Sequence, residues 1–253
     1  MNVGTVFGVG VGPGDPELVT VKAAQLLGRA SVVAYFSKRG NVSNAFAAAE
    51  RYLSPSAERL PLIYPYTVEL SAKDPRYIAA LRAFYLQSSA SIVQRLARGV
   101  DVAVLCEGDP LFYGSYLHLH AILQREHRCV VIPGITSFAG CAARAGLPLV
   151  STDRVFSVLP GTLPAEELER RLRAPDAVVI IKLGRNFPKV RDVLTRVGRA
   201  GDATYVEHGT TERERLLPLR EKTDALAAYF SLILVPQLGP TPSSQLEAAC
   251  PLD

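Results

Sequence analysis

The sequence predicts an α/β protein of two domains, a mostly parallel sheet followed by a mixed one. Three observations carry that prediction. Short apolar, β-branched runs alternate with helix-length segments along most of the chain. Glycine-rich turns follow the ends of several runs, where an open parallel sheet presents its carboxyl edge. And 253 residues, against about 150 for one domain, leave room for two.

The elements follow in order. Thr5–Gly10 is apolar and ends in glycines, a buried strand. Pro16–Leu27 reads as one helix, with Asp15 as N-cap, Pro16 at the first helical position and Gly28 as the stop. Ser31–Tyr35 is the next strand and Asn44–Leu53 a helix. Leu60–Leu70 is extended, with two prolines. Pro75–Arg98 is a long helix with an apolar stripe. Val100–Cys106 is a third strand, Tyr116–Glu126 a helix and Val130–Ile132 a short strand. Strand–helix alternation of this kind requires crossovers and a parallel sheet.

The second half begins with a small-residue helix, Ser137–Ala145. Strands are expected at Val155–Leu159, Ala177–Leu183, Thr204–Glu207, Arg215–Leu219 and Phe230–Val235. Helices are expected at Ala165–Arg173, Pro188–Val197 and Thr223–Ala228. Arg215–Leu219 follows a short turn, which makes an antiparallel pair. The boundary falls near Gly134, giving domains of 1–134 and 135–238. The segment 239–253, rich in Pro, Ser and Gln, reads as a poorly ordered tail.

Composition narrows the function. Apolar residues make up 48% and charged residues 21%, which excludes a disordered or collagen-like chain. Lys and Arg number 28 against 24 Asp and Glu, a net charge of +4. That surplus suits an anionic small molecule. No run of three basic residues occurs, which argues against a nucleic-acid partner. Cys106, Cys129, Cys141 and Cys250 show no CxxC spacing, so reduced thiols and a cytoplasmic location are expected. There is no signal-peptide pattern and no membrane-length apolar run. No metal-ligand spacing accompanies His118 and His120, so no metal site is expected.

Three glycine clusters stand at strand ends. The first is Gly8-Val9-Gly10-Val11-Gly12-Pro13-Gly14-Asp15. It fits GxGxxG in no register, and no Gly-Lys pair supplies a P-loop. What remains is a turn that lets a ligand reach backbone, stiffened by Pro13. The second, Glu107-Gly108-Asp109-Pro110, sets a glycine between two carboxylates, suited to a cationic or hydroxyl-rich ligand or to capping a helix. The third runs from Pro133-Gly134 through Thr136 and Ser137 to Gly140.

Taken in order, VGVGPGDPELVTVKAAQLLGRASVVAY, VAVLCEGDPLFYGS, VVIPGITSFAGCAARAGLPL, VVIIKLGRN and VEHGTTERE resemble the tetrapyrrole (corrin/porphyrin) methylases. The stretches cover most of residues 3–235. Finer features, LIYPYTVEL, CEGDPLFYGSYLHLH, KLGRN and YFSLILV, are similar to the branch of that family that methylates precorrin-2 at C20 in cobalamin synthesis. The resemblance implies two α/β domains with a cofactor cleft between them, S-adenosylmethionine as methyl donor, a tetrapyrrole substrate and a homodimer. It implies cofactor contacts at Pro13, Glu107, Gly108, Asp109, Phe112, Thr136, Ser137, Leu183 and Gly209. Leu183 stands where relatives often carry Met. Tyr35-Phe36 stands where uroporphyrinogen methylases tend to carry an acid, which speaks against that activity.

A tetrapyrrole bears acetate and propionate arms, for which Lys38, Lys182 and Arg185 are candidates, with Tyr64 and Tyr66 against the ring. Arg39 reads as a surface charge. Methylation at C20 must be followed by loss of its proton, and His208, Tyr35 and Glu107 are the candidate acceptors. Alternatives are a cobalt-bearing substrate, another precorrin, an RNA-methylating relative, or a non-catalytic module that binds S-adenosylmethionine. Substrate turnover separates these.

Overall fold

The computed structural model describes residues 3–65, 74–151 and 153–238. Tyr66 and the segment 239–253 therefore lie outside the described residues. The chain divides into two compact units between Ser137 and Phe138.

The first unit runs β1 (Val6–Gly10), α1 (Val21–Leu27), β2 (Val32–Lys38), α2 (Asn44–Ala49), β3 (Glu58–Tyr64), α3 (Pro75–Leu96), β4 (Val102–Cys106), α4 (Tyr116–Leu123) and β5 (Cys129–Ile132). Its five strands lie in the order β3-β2-β4-β1-β5, and every pair is parallel. β4, VAVLC, is buried at every position, as a central parallel strand covered on both faces must be. Successive residues point to opposite faces. Val33 and Leu105 thus join Ala23, Leu27 and Ala48 of α1 and α2. Val32 and Val104 join Phe84, Leu96 and Leu119 of α3 and α4 on the other side.

The strand order fixes where a ligand goes. From β1 the chain crosses β4 to reach β2, and from β4 it crosses β1 to reach β5. The two connections leave adjacent strands in opposite directions. Their carboxyl ends are the topological switch point, where open α/β sheets leave a crevice.

The second unit holds α5 (Ser137–Ala145), which starts at the junction. It continues through β6 (Phe156–Pro160), α6 (Ala165–Leu172), β7 (Ala177–Ile181), α7 (Phe187–Arg196), β8 (Thr204–Glu207), β9 (Arg215–Pro218) and β10 (Ser231–Val235). The order is β6-β7-β10-β8-β9. β10 is antiparallel to both β7 and β8, β8 and β9 are antiparallel, and β6 and β7 are parallel. One face packs on Leu168, Phe187, Val190 and Leu194, the other on Cys141 and Ala142. The α6 face EELERRLR is solvated, with Glu167–Arg171 and Glu169–Arg173 pairs at 2.6 and 2.5 Å. Among the described residues no helix is long and apolar enough to cross a membrane.

Three expectations are corrected. Pro16–Leu27 is two pieces, a 3-10 turn at Pro16–Leu18 and then α1. Asp15 caps the turn through the Glu17 amide at 2.8 Å, and Thr20 opens the helix afresh through the Ala23 amide at 3.2 Å. The predicted helix Thr223–Ala228 is irregular, because Asp224 turns to the buried ammonium of Lys222 at 2.5 Å instead of capping a turn. The strand predicted to Leu183 ends at Ile181, where Lys182 adopts φ 57°.

Candidate functional site

Three loops meet at the switch point of the first unit. The Val11 amide donates to the Cys106 carbonyl at 3.0 Å and the Gly108 amide to the Gly12 carbonyl at 2.8 Å, so Gly12 and Gly108 form an isolated bridge across the crevice. Gly10 and Gly134 touch backbone to backbone: a Cβ on Gly10 would lie 2.5 Å from the Gly134 nitrogen and 2.7 Å from the Gly108 carbonyl oxygen. Only glycine permits that approach. The Asp109 carboxylate locks the third loop, accepting from the Gly134 amide at 3.1 Å and from the Leu111 amide at 2.9 Å.

Gly108 stands at φ 65°, and a Cβ there would meet nothing closer than 3.8 Å, at Ile135, Thr136 and Ser137. Gly108 is buried, with the backbone of the third loop at ordinary contact distance, in a conformation that side chains rarely adopt. Gly12, Pro13, Glu107, Gly108, Asp109, Thr136 and Ser137 thus belong to one cluster of loops at one sheet edge. Phe112 follows it, its ring 5.0 Å from that of Tyr113.

Glu107 projects from the end of β4 with an exposed side chain. Protein still crowds it enough that desolvation pushes its carboxyl up to about 7, opposed by a hydrogen bond from the Ala45 amide. Tyr35 is half-buried, its ring 4.6 Å from Phe46 and packed on the core.

A second feature of this unit lies toward the sheet's β3 edge. Lys38 and Tyr64 pair at the carboxyl ends of β2 and β3. With Arg39, Leu62, Phe84 and Ser88 they line a cavity of about 590 Å³. The Tyr64 ring lies 4.6 Å from Phe84 and 5.7 Å from Phe36. Cations and aromatic rings around one cavity suit a flat anionic ligand.

In the second unit, β7 and β8 both run antiparallel to β10, so their carboxyl ends share one edge. Lys182 and Leu183 follow β7, and His208, Gly209 and Thr210 follow β8. Lys182, His208 and Thr210 have φ of 57°, 49° and 67°. Among the described residues the remaining non-glycine at positive φ is Tyr113, just past the Glu107–Pro110 loop. Strain of this kind gathers at binding sites. Leu183 is fully buried in the core, so its side chain serves packing. Lys182 and Arg185 are exposed. His208 is held below the usual imidazole range by burial and then by the Arg213 charge, against Glu207. Sequence reasoning missed Thr210, Glu214 and Arg144. The strained turn leaves no local signal in VEHGTTERE, and the bond from Arg144 to Glu214 joins residues 70 apart in sequence.

The model of the tetrapyrrole (corrin/porphyrin) methylases matches residues 5–223. The chain belongs to this family. It is 51% identical over 236 residues to a precorrin-2 C(20)-methyltransferase of Sinorhizobium sp., covering 93% of this chain and 96% of that relative. It is 27% identical to the cobalt-precorrin-2 C(20)-methyltransferase of Salmonella typhimurium, covering 92% and 96%. A uroporphyrin-III C-methyl transferase from Thermus thermophilus, solved in complex with S-adenyl homocysteine, superposes with a TM-score of 0.63 at 25% identity, covering 92% of each chain.

Proposed function

We propose that this methylase transfers a methyl group from S-adenosylmethionine to C20 of precorrin-2, giving precorrin-3A on the route to cobalamin. The 51% identity to the Sinorhizobium precorrin-2 enzyme over nearly both lengths carries the reading. The lower identity to the cobalt-precorrin-2 enzyme favours the cobalt-free substrate. A homodimer in the cytoplasm is part of the proposal.

The residues present fit the methyl donor. The glycine loops around Gly108 and, in the second unit, the strained turn around Gly209 each offer backbone amides and carbonyls of the kind that an adenosyl group or a charged amino-acid end takes up. We assign cofactor contacts to Pro13, Glu107, Gly108, Asp109, Phe112, Thr136, Ser137, Leu183 and Gly209. Lys38 and Tyr64 hold an edge of the tetrapyrrole, with Lys182 and Arg185 pairing further carboxylates.

When bound, S-adenosylmethionine supplies a sulfonium methyl, an electrophile that needs no further activation. The chain's own task is to align the nucleophilic carbon, exclude water and take up the proton that C20 loses. Two groups have acceptor chemistry near neutral pH. His208 has its affinity for protons lowered, chiefly by burial. Glu107 titrates about 7, where a carboxylate is a far better base than in water. The Tyr35 ring serves packing.

Anaerobic incubation with S-adenosylmethionine and precorrin-2, with and without cobalt, tests the proposal by mass spectrometry. Gain of one methyl group, faster on the cobalt-free substrate, is expected. No gain, or a preference for the cobalt form, overturns it.

A further inference from the structure

The turn His208-Gly209-Thr210 holds a backbone shape that its sequence does not favour. His208 and Thr210 both lie in the left-handed region, at φ 49° and 67°, and a β-branched residue is the least suited of all to it. Something outside the turn must enforce the shape. On one side the His208 amide donates to the Phe230 carbonyl at 2.8 Å. On the other the Thr210 amide donates to Oε2 of Glu214 at 2.6 Å. From beneath, Cys141 of α5 fills the space where a Cβ of Gly209 would stand.

Glu214 is itself held. The Arg144 Nε donates to its two oxygens at 2.9 and 3.2 Å, and a second guanidinium nitrogen lies 2.9 Å from Oε1. The Glu214 side chain is 13% exposed and that of Arg144 61%, so the carboxylate sits inside and the cation closes it from solvent. Arg144 and Cys141 are three residues apart on α5 and share one face of that helix. One helix face thus carries both supports: the sulfur against Gly209 and the cation behind the carboxylate that grips Thr210.

We infer that Glu214, fixed by Arg144, is a positioning residue that holds the His208–Thr210 turn in its cofactor-binding shape. The inference rests on the assignment of Gly209 as a cofactor contact. Without the carboxylate the Thr210 amide loses a charge-assisted partner and the turn relaxes toward unstrained backbone. Apparent affinity then falls by the fraction of molecules that still hold the shape. The effect falls on binding of the methyl donor, because the Arg144 guanidinium is engaged with Glu214 and Glu214 with the Thr210 amide.

Calorimetric titration of the full chain with S-adenosylhomocysteine, with steady-state kinetics on precorrin-2, tests this. Glu214→Ala should weaken S-adenosylhomocysteine binding and raise the KM for S-adenosylmethionine about tenfold, the lower end for loss of a charge-assisted hydrogen bond. Both kcat at saturation and the KM for the tetrapyrrole should stay within about twofold. Arg144→Met should give about a threefold effect, with Arg144→Lys between it and the natural chain. Should Glu214→Ala fail to fold, Glu214→Gln and Arg144→Met decide. Affinity equal to the natural chain in those variants overturns the inference, as does a loss confined to kcat or to the tetrapyrrole KM. A natural chain that binds no S-adenosylhomocysteine overturns the assignment of the site, and the inference with it.

Discussion

Gly134→Ala puts the glycine contact at the switch point to the test. Its added methyl would run into the Gly108 carbonyl oxygen and stand 2.8 Å from the Gly10 Cα and 2.9 Å from its carbonyl carbon. All three obstacles are backbone, at the end of β1 and in the loop after β4, so no side-chain rotation relieves them. Overpacking of this kind costs about 1–3 kcal/mol. Moving residue 134 also strains its 3.1 Å bond to Asp109, worth about 1.5–3 kcal/mol for a charged acceptor. Together these give roughly 3 kcal/mol or more, a fall in Tm of about 6–12 °C for a chain of this size. Gly201→Ala, where a Cβ meets nothing within 4 Å, is the control. Thermal melts followed by circular dichroism and calorimetry with S-adenosylhomocysteine read both effects. A Gly134→Ala protein that melts within about 2 °C of the control and binds as tightly would refute the reasoning.

Arg199 is fully buried and donates to the carbonyls of Ala174, Asp176 and Pro236 at 2.9, 3.1 and 2.6 Å. Arg199→Met should cost about 3 kcal/mol or more, seen as a lower urea midpoint with unchanged slope, since it orphans buried carbonyls. Glu107 predicts a pH dependence. Its folded pKa, about 7, lies above the ordinary 4.5. Between those values the folded chain keeps a proton that the unfolded chain has lost, so stability falls as pH rises through the window. Glu107→Gln should flatten that slope, by an amount on the order of 1 kcal/mol because water screens an exposed side chain; identical slopes would contradict the account. Burial raises the Cys106 thiol and pushes Cys141 up to about 12. Iodoacetamide at about pH 8 should leave both unmodified until urea is added, as read by peptide mass spectrometry.

Much of the fold was legible because local pattern and burial agree. VAVLC of β4 is apolar at each position and is a central strand on both counts. The glycine clusters mark sheet-edge turns because strand periodicity stops there. What was hidden depends on distant partners. The insertion of β10 between β7 and β8 leaves no trace in either strand's own residues. Lys222 would be placed at the surface by its type, yet it is buried against the rings of Phe187 and Tyr205 at 5.8 and 5.2 Å. The break between Asp15 and α1 turns on the Thr20 hydroxyl, one capping choice among several that the segment permits. At the site, the loops were legible as glycine patterns, whereas the contact of Gly10 with Gly134 and the grip of Glu214 on Thr210 arise only in three dimensions.

The most direct test of the central claim is NMR of the product made anaerobically from precorrin-2 and S-adenosylmethionine carrying a ¹³C-labelled methyl group. The account predicts a single enriched methyl resonance, bonded to C20. Enrichment at any other ring carbon, or none at all, would contradict it.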